Sequence, residues 1–296
     1  MSKIDLHTHS TTSDGKDAPG ELVRKAQQRG ITLLLSPTDH DTVDGLGAAE
    51  AEAKALGVGF VSGLELAINY YHPSYHNGQD PIRLHLLGYG FDYHHHNLLH
   101  ELQINREHRR RRIVEIINKI NDLLGISGHQ QLDFDEFSVY EKTIDGTIGR
   151  PHLAQFLMQK GIVSSLQEAF DIYLGERCYV PTRDISLADG IDLIHKAGGK
   201  AVLAHPCGEE GYSLLKVAPT EEAQAKMVGD MHLHSHLDGL ECFYPAHSQE
   251  KTEFFVGLAK RFGMIITGGS DHHGGERDRL GTVDVPDYVA SYFLTK

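Results

Sequence analysis

The chain has 296 residues, a formal net charge of −13, 40% hydrophobic and 23% charged residues, and 21 histidines. That length suits one large α/β barrel or two ordinary domains, with a composition typical of a globular protein with ample core. The acidic balance argues against a broad duplex-DNA surface, no apolar run approaches a membrane span, and the start Met1-Ser2-Lys3-Ile4-Asp5 lacks a signal-peptide core, so a cytoplasmic location is expected.

Cys178, Cys207 and Cys242 are scattered without C-x-x-C spacing, which points to neither a disulfide framework nor a thiolate metal site. The histidine content, about three times average usage, favours imidazole metal chemistry instead. Asp5-Leu6-His7-Thr8-His9 reads as a strand whose period of two puts Asp5, His7 and His9 on one face. A helix over 18–29 follows, with Asp17 placed to cap it and Pro19 in its first turn. The apolar run 31–35 predicts a buried strand ending in the polar cluster Thr38-Asp39-His40-Asp41. Asp44 is placed to cap a helix over 47–56, and a strand over 58–62 leads into Gly63-Leu64-Glu65.

The polar stretch 70–81 predicts a loop, and 82–89 a strand carrying His85 among leucines. From residue 94 to 183 the strand-helix rhythm breaks. Ile113, Ile116, Ile117, Ile120 and Leu124 fit one long helix over 98–124, with further helices over 151–160 and 165–174. The rhythm then resumes with a helix over 186–197, a strand over 200–204 ending at His205-Pro206, a strand over 239–243, a helix over 249–262, and a strand over 264–267 running into Gly269-Ser270-Asp271-His272-His273-Gly274. The expected organisation is a barrel part over 1–93, a helical insertion over 94–183 and a second barrel part over 184–296, with about seven strands.

His7, His9, Asp14, His40, Glu65, His85, His205, Asp271 and His273 therefore fall at or near strand ends, where α/β barrels keep their chemistry. All are oxygen or imidazole donors, suited to Zn²⁺, Mn²⁺ or Fe²⁺, and together they exceed what one tetrahedral ion needs. His232, His234 and His236 repeat the alternation but precede a strand and are expected to face solvent, and His94-His95-His96 reads as a polar helix start. The basic run from Arg106 to Arg112 is interleaved with Glu101, Glu107 and Glu115 and reads as a salt-bridged helix face.

These motifs resemble those of the polymerase and histidinol phosphatase (PHP) family, and they occur in the family's order along nearly the whole chain. The resemblance implies a distorted seven-stranded (β/α) barrel holding two or three divalent ions. It groups His7, His9, Glu65 and Asp271 around one ion, Glu65, His85 and His205 around a second, and Asp14, His40 and His273 around a third. It also implies phosphoester hydrolysis by a metal-bound hydroxide, with neighbouring cations neutralising the phosphoryl oxygens. His205 and Asp271 are candidate catalytic residues on this basis, and His247 a candidate proton donor to the leaving oxygen.

Within the insertion, Gly149-Arg150-Pro151-His152 resembles one branch of the family, whose members remove the 3′-phosphate from nucleoside 3′,5′-bisphosphates and in some cases trim short RNA from the 5′ end. Arg150 and His152 would grip a substrate phosphate at a helix start, with Arg183 and Arg177 as further cationic candidates. The expected partner is a small nucleotide or a short RNA. Three rivals stay open: a histidinol-phosphatase-like phosphomonoesterase, an amidohydrolase, and a nucleic-acid-binding module without activity. Amidohydrolases also use His-x-His but usually add a bridging carbamylated lysine, and no lysine occupies a strand-end motif here.

Overall fold

A computed structural model describes residues 3–128, 130–144, 148–208 and 212–294. In chain order the elements are β1 (Ile4–Thr8), α1 (Pro19–Gln28), β2 (Leu34–Pro37), α2 (Leu46–Leu56), β3 (Gly63–Tyr70), β4 (Ile82–Tyr89), α3 (His96–Ile126), α4 (Phe134–Glu141), α5 (Arg150–Gln159), α6 (Leu166–Ala169), β5 (Ile185–Ser186), α7 (Leu187–Lys196), β6 (Lys200–Leu203), α8 (Glu221–Ser235), β7 (Gly239–Phe243), α9 (Gln249–Phe262) and β8 (Ile265–Gly268). They divide into two units, residues 1–100 with 184–296, and residues 101–183.

In the first unit β1 and β2 pair in parallel, Ile4 opposite Leu34 and Asp5 opposite Leu35. The remaining strands form a six-stranded sheet in the order β5-β3-β4-β6-β7-β8. Only β4 runs antiparallel to its neighbours. The described strands thus build an α/β fold of two sheets without a closed barrel, in place of the distorted seven-stranded barrel expected from the sequence. One cause is local: the connection from β3 to β4 contains no α-helix, so the chain returns as an antiparallel partner instead of crossing over. A second is that, among the described residues, the backbone pairing between the two sheets takes the form of isolated bridges, Thr8 with His272, Leu35 with Phe60 and His40 with Glu65, and not of a continuous ladder.

Other expectations shift by a few residues for identifiable reasons. Residues near Phe60 lie beside β2 without forming a strand, and the strand proper begins at Gly63, so Glu65 sits inside β3 and not after a strand. Asp17 does not cap α1, whose N-cap is Ala18 with no side-chain hydrogen bond; its carboxylate instead accepts from Lys25 Nζ and faces His272. Likewise Gly45, not Asp44, precedes α2. His232 and His234 lie on the last turn of α8 and His236 caps it with φ 60°, so their alternation belongs to a helix end. The His232 ring donates to the Leu237 carbonyl at 2.8 Å.

The α1 and α2 helices cover β2 through Leu22, Val23, Ala26, Ala49 and Ala53, packed on Ile31, Leu35 and Val58. Each such large aliphatic side chain contributes roughly 1.5–3 kcal/mol by leaving water. The second unit has a core of its own. Ile113, Ile116, Ile117, Ile120 and Leu124, at the spacing that predicts the long helix, pack with Phe137, Leu153, Phe156, Leu157 and Leu174. No helix of the described residues is long and apolar enough to cross a membrane.

Candidate metal centre

The alternation of β1 buries His7 and His9 completely on one face. The carboxylate of Glu65 stands opposite them. Its Oε2 lies 3.3 Å from His7 Nε2, 3.3 Å from His9 Nε2 and 3.1 Å from His40 Nδ1, while Oε1 lies 2.9 Å from His85 Nδ1 and 3.1 Å from His205 Nε2. Five imidazoles thus converge on one carboxylate with both oxygens engaged. The His40–Glu65 bridge explains how the end of β2 meets the start of β3: Asp41 N–H donates to Glu65 O and Glu65 N–H to Asp39 O.

Asp271 Oδ1 lies 3.3 Å from His9 Nε2 and 3.6 Å from His7 Nε2, and Asp14 Oδ1 lies 3.3 Å from His273 Nε2. Three overlapping donor groups result: His9, Asp14, His40 and His273; His7, His9 and Asp271; and His40, Glu65 and His85. Within each group the donor atoms lie within 4.8 Å of one another, close enough to share an ion. His205 joins the last group through its contacts to Glu65 and to His85 Nδ1 at 3.2 Å. All nine donors expected from the sequence therefore belong to one contiguous cluster. Their partition differs slightly from the expected one, with His9 and His40 each standing in two groups.

Backbone geometry serves this convergence. His205 and Asp271 have positive φ, 24° and 51°, a left-handed conformation that non-glycine residues adopt at a cost of order 1–3 kcal/mol and that clusters at functional sites. Gly269 lets the end of β8 pass β1, since a Cβ there would stand 2.3 Å from His7 N. Asp39 ties down the 10–13 turn by accepting from Ser10 N–H, Ser10 Oγ, Thr12 Oγ1 and Ser13 Oγ at 2.6–2.7 Å.

The donor set fits divalent cations. His7 Nε2 and His9 Nε2 are buried without a hydrogen-bond partner, the situation that an ion between imidazoles and carboxylates resolves. The electrostatics agree. Burial raises a carboxyl pKa, yet Glu65 is held well below the usual range by the charges of His85, His40 and His7. Burial opposes protonation of His9, but Asp271 and Glu65 outweigh it and raise the ring to about 10; burial lowers His40 to about 3 against the pull of Glu65 and Asp14. Protons thus occupy part of the cluster in the absence of ions, and cations would displace them.

Two buried residues that sequence reasoning misses complete the surroundings. Glu241 on β7 accepts from His7 Nδ1 at 2.9 Å and from His205 N–H at 2.7 Å, and Tyr244 OH donates to Asp271 Oδ2 at 3.0 Å. The available signal is a single carboxylate in the apolar strand Gly239-Leu240-Glu241-Cys242-Phe243.

The other candidates have local partners. His247 Nδ1 donates to the Cys242 carbonyl at 2.9 Å, which leaves Nε2 without a hydrogen in the neutral ring. Proton donation from Nε2 would need the doubly protonated ring, and burial lowers its pKa. In the second unit Arg150 opens α5, donates to the Leu174 carbonyl at 3.2 Å and lies over the Phe170 ring. The His152 Nδ1 accepts from Gly149 N–H at 3.1 Å, and Arg183 donates to His108 Nε2 at 2.7 Å. Arg177 is exposed. Thr147, just before the Gly-Arg-Pro-His segment, lies outside the described residues.

The PHP domain family profile matches residues 5–180. A 5′-3′ exoribonuclease from Haemophilus influenzae is 32% identical over 273 residues, 92% of this chain and 90% of its own. A 3′,5′-nucleoside bisphosphate phosphatase from Chromobacterium violaceum is 31% identical over 294 residues, 97% of this chain and 93% of its own. Among solved structures, a protein from Bifidobacterium adolescentis described as a predicted metal-dependent phosphoesterase superposes with a TM-score of 0.76 at 26% identity, covering 98% of this chain and 94% of its own. An amidohydrolase from Chromobacterium violaceum, with bound sulfate and no metal, gives 0.72 at 30% identity, covering 96% and 92%. With the profile spanning more than half its length and a cluster of imidazoles and carboxylates at its centre, this chain belongs to the PHP domain family and is a metal-dependent phosphoesterase.

Proposed function

We propose that the enzyme removes the 3′-phosphate of nucleoside 3′,5′-bisphosphates, using two or three divalent ions held by His7, His9, Asp14, His40, Glu65, His85, His205, Asp271 and His273. The observation that carries the reading is the position of Glu65, whose two oxygens face different histidines and so can serve two ions at once. Bound divalent ions acidify a water for attack and neutralise phosphoryl oxygens. Three such ions would outweigh the four carboxylates Asp14, Glu65, Asp271 and Glu241, which would make an anion-attracting centre in an acidic chain.

The chain's own residues have distinct parts in this reading. Asp271 and His205, in strained backbone beyond β8 and β6, would hold the ions against which the reacting phosphate binds. Arg150 and His152 at the start of α5, with Arg183, hold the substrate's second phosphate; a guanidinium forks onto phosphate oxygens in a way an ammonium does not. Burial keeps His247 neutral, with its hydrogen on Nδ1 held by the Cys242 carbonyl, so leaving-group protonation falls to a water of the site. Mn²⁺, Zn²⁺ and Fe²⁺ all suit the nitrogen and oxygen donors.

The names of two relatives, a bisphosphate phosphatase and a 5′-3′ exoribonuclease, support this substrate class and give a second reading, trimming of short RNA from the 5′ end. Against the amidohydrolase alternative stands Glu65, whose two oxygens face different imidazoles and so could take the bridging place, while no lysine occupies a strand-end motif of the sequence. The sulfate bound by the neighbour of that name also fits an oxyanion site. Chromatography of products from adenosine 3′,5′-bisphosphate, a short oligoribonucleotide, histidinol phosphate and an amide panel, with Mn²⁺ present, separates these activities. Fastest turnover of the bisphosphate to the 5′-monophosphate is expected; amide cleavage with no phosphoester cleaved would end the proposal.

A further inference from the structure

We infer that β7, which contributes none of the nine donors, is the positioning strand of the metal centre, with Glu241 acting through His7 and His205 and Tyr244 acting through Asp271. The inference rests on the proposed function, because it assigns roles toward ions held at that same cluster.

Both oxygens of Glu241 are already engaged, Oε1 with His7 Nδ1 and Oε2 with His205 N–H. Glu241 is fully buried, so a bare carboxylate there is tolerable only because these two donors satisfy it. The consequence for His7 is a fixed orientation: Nδ1 carries its hydrogen toward Glu241, and Nε2 points at Glu65 and Asp271. An anionic acceptor behind the ring also makes Nε2 a better donor to a cation. The consequence for His205 is that its strained backbone, φ 24°, is pinned through its own N–H.

Three residues further on, Tyr244 is buried and its hydroxyl donates to Asp271 Oδ2. A phenol is a hydrogen-bond donor at ordinary pH, and here its hydroxyl faces an oxygen that can only accept. Arg277 Nη2 donates to the same Oδ2 at 3.1 Å. Asp271 Oδ2 is therefore taken, and only Oδ1 remains directed at His7 and His9. One strand and its exit loop thereby set the orientation of three donors that come from β1, from beyond β6 and from beyond β8. β1 also touches the β8 exit directly, through the Thr8–His272 bridge and Ser270 N–H donating to Asp5 Oδ1.

The test uses full-length Glu241→Gln and Tyr244→Phe, with free Mn²⁺ followed by electron paramagnetic resonance during titration and the melting of the chelated protein measured in parallel. We expect both variants to bind as many ions as the parent chain with about 10–100-fold weaker affinity. Activity of Tyr244→Phe should recover as Mn²⁺ is raised, which a purely structural hydrogen bond would not produce. Affinities within twofold of the parent, or a lowered melting temperature with affinity unchanged, would overturn the inference. If Glu241→Gln fails to fold, Tyr244→Phe, which deletes one hydroxyl, decides alone. A parent chain that binds no Mn²⁺ would instead remove the proposed function, and the inference with it.

Discussion

Glu65 carries more of the centre than any other side chain, since five imidazoles reach its two oxygens. Replacing it by Gln keeps the volume but removes the anionic bridge. We expect Glu65→Gln to lose at least one ion per chain by elemental analysis and at least about a hundredfold in turnover, more than an outer hydrogen-bonding partner would cost. Gly269 matters for a different reason. Alanine there would drive a Cβ into the backbone of His7, a contact that no rotamer relieves. Gly269→Ala should destabilise the fold by about 1–3 kcal/mol or more and loosen ion binding, read by denaturant melts with and without Mn²⁺. His7 and His9 were legible in sequence because a period of two is a strong signal. Glu241 was not, because one carboxylate in a short apolar strand gives the same pattern whether it faces solvent or holds a ligand. Asp17 read as a helix cap by position, whereas a lysine about two turns along α1 and a histidine more than 250 residues away claim its oxygens.

At the scale of elements, most helices and strands could be read from apolar spacing, whereas the two caps read from sequence, Asp17 and Asp44, are not the N-caps of α1 and α2. Ser186, Thr220 and Ser248, which sequence reasoning did not single out, cap α7, α8 and α9 through backbone N–H groups of the first turn. What spacing does not encode is direction. β4 reads as one more barrel strand but runs antiparallel between β3 and β6, and His85 comes from this reversed strand. Asp238 shows what joins neighbouring elements here. Its carboxylate accepts from His195 Nε2 at the end of α7, from Ala201 N–H at 2.8 Å on β6, and from Lys200 Nζ at 3.2 Å, just before β7 begins. Burial works against its ionisation, but the Ala201 N–H, His195 and Lys200 hold its pKa below the usual value. A carboxyl with a depressed folded-state pKa adds stability above its unfolded pKa of about 3.9 and loses it as pH falls through the folded value. Asp238→Asn should therefore cost about 1–3 kcal/mol near pH 7, with the gap to the parent chain shrinking below about pH 4. Urea melts across that range measure it, and a gap independent of pH would show that charge plays no part.

Considered as a whole molecule, the chain divides into two units, of which the one over residues 101–183 is helical and has its own core. How the strands divide into two sheets was not legible, because strand periodicity does not encode which strands pair. The separate cores predict separable effects. Phe156 is buried against Phe137 and Tyr140 in the helical unit, so Phe156→Ala should destabilise by about 3–5 kcal/mol while the chain still binds Mn²⁺ through donors that all lie in the other unit. Substrate turnover should fall if Arg150 and His152 grip phosphate as proposed; unchanged turnover would separate the insertion from catalysis. The central claim, a metal-dependent phosphoesterase acting on bisphosphates, is tested most directly by phosphate release from adenosine 3′,5′-bisphosphate before chelation, after chelation and after Mn²⁺ is restored. The account predicts one phosphate per nucleotide with adenosine 5′-monophosphate left behind, lost on chelation and recovered with Mn²⁺. Release that persists unchanged through chelation, or no release with Mn²⁺ present, would contradict it.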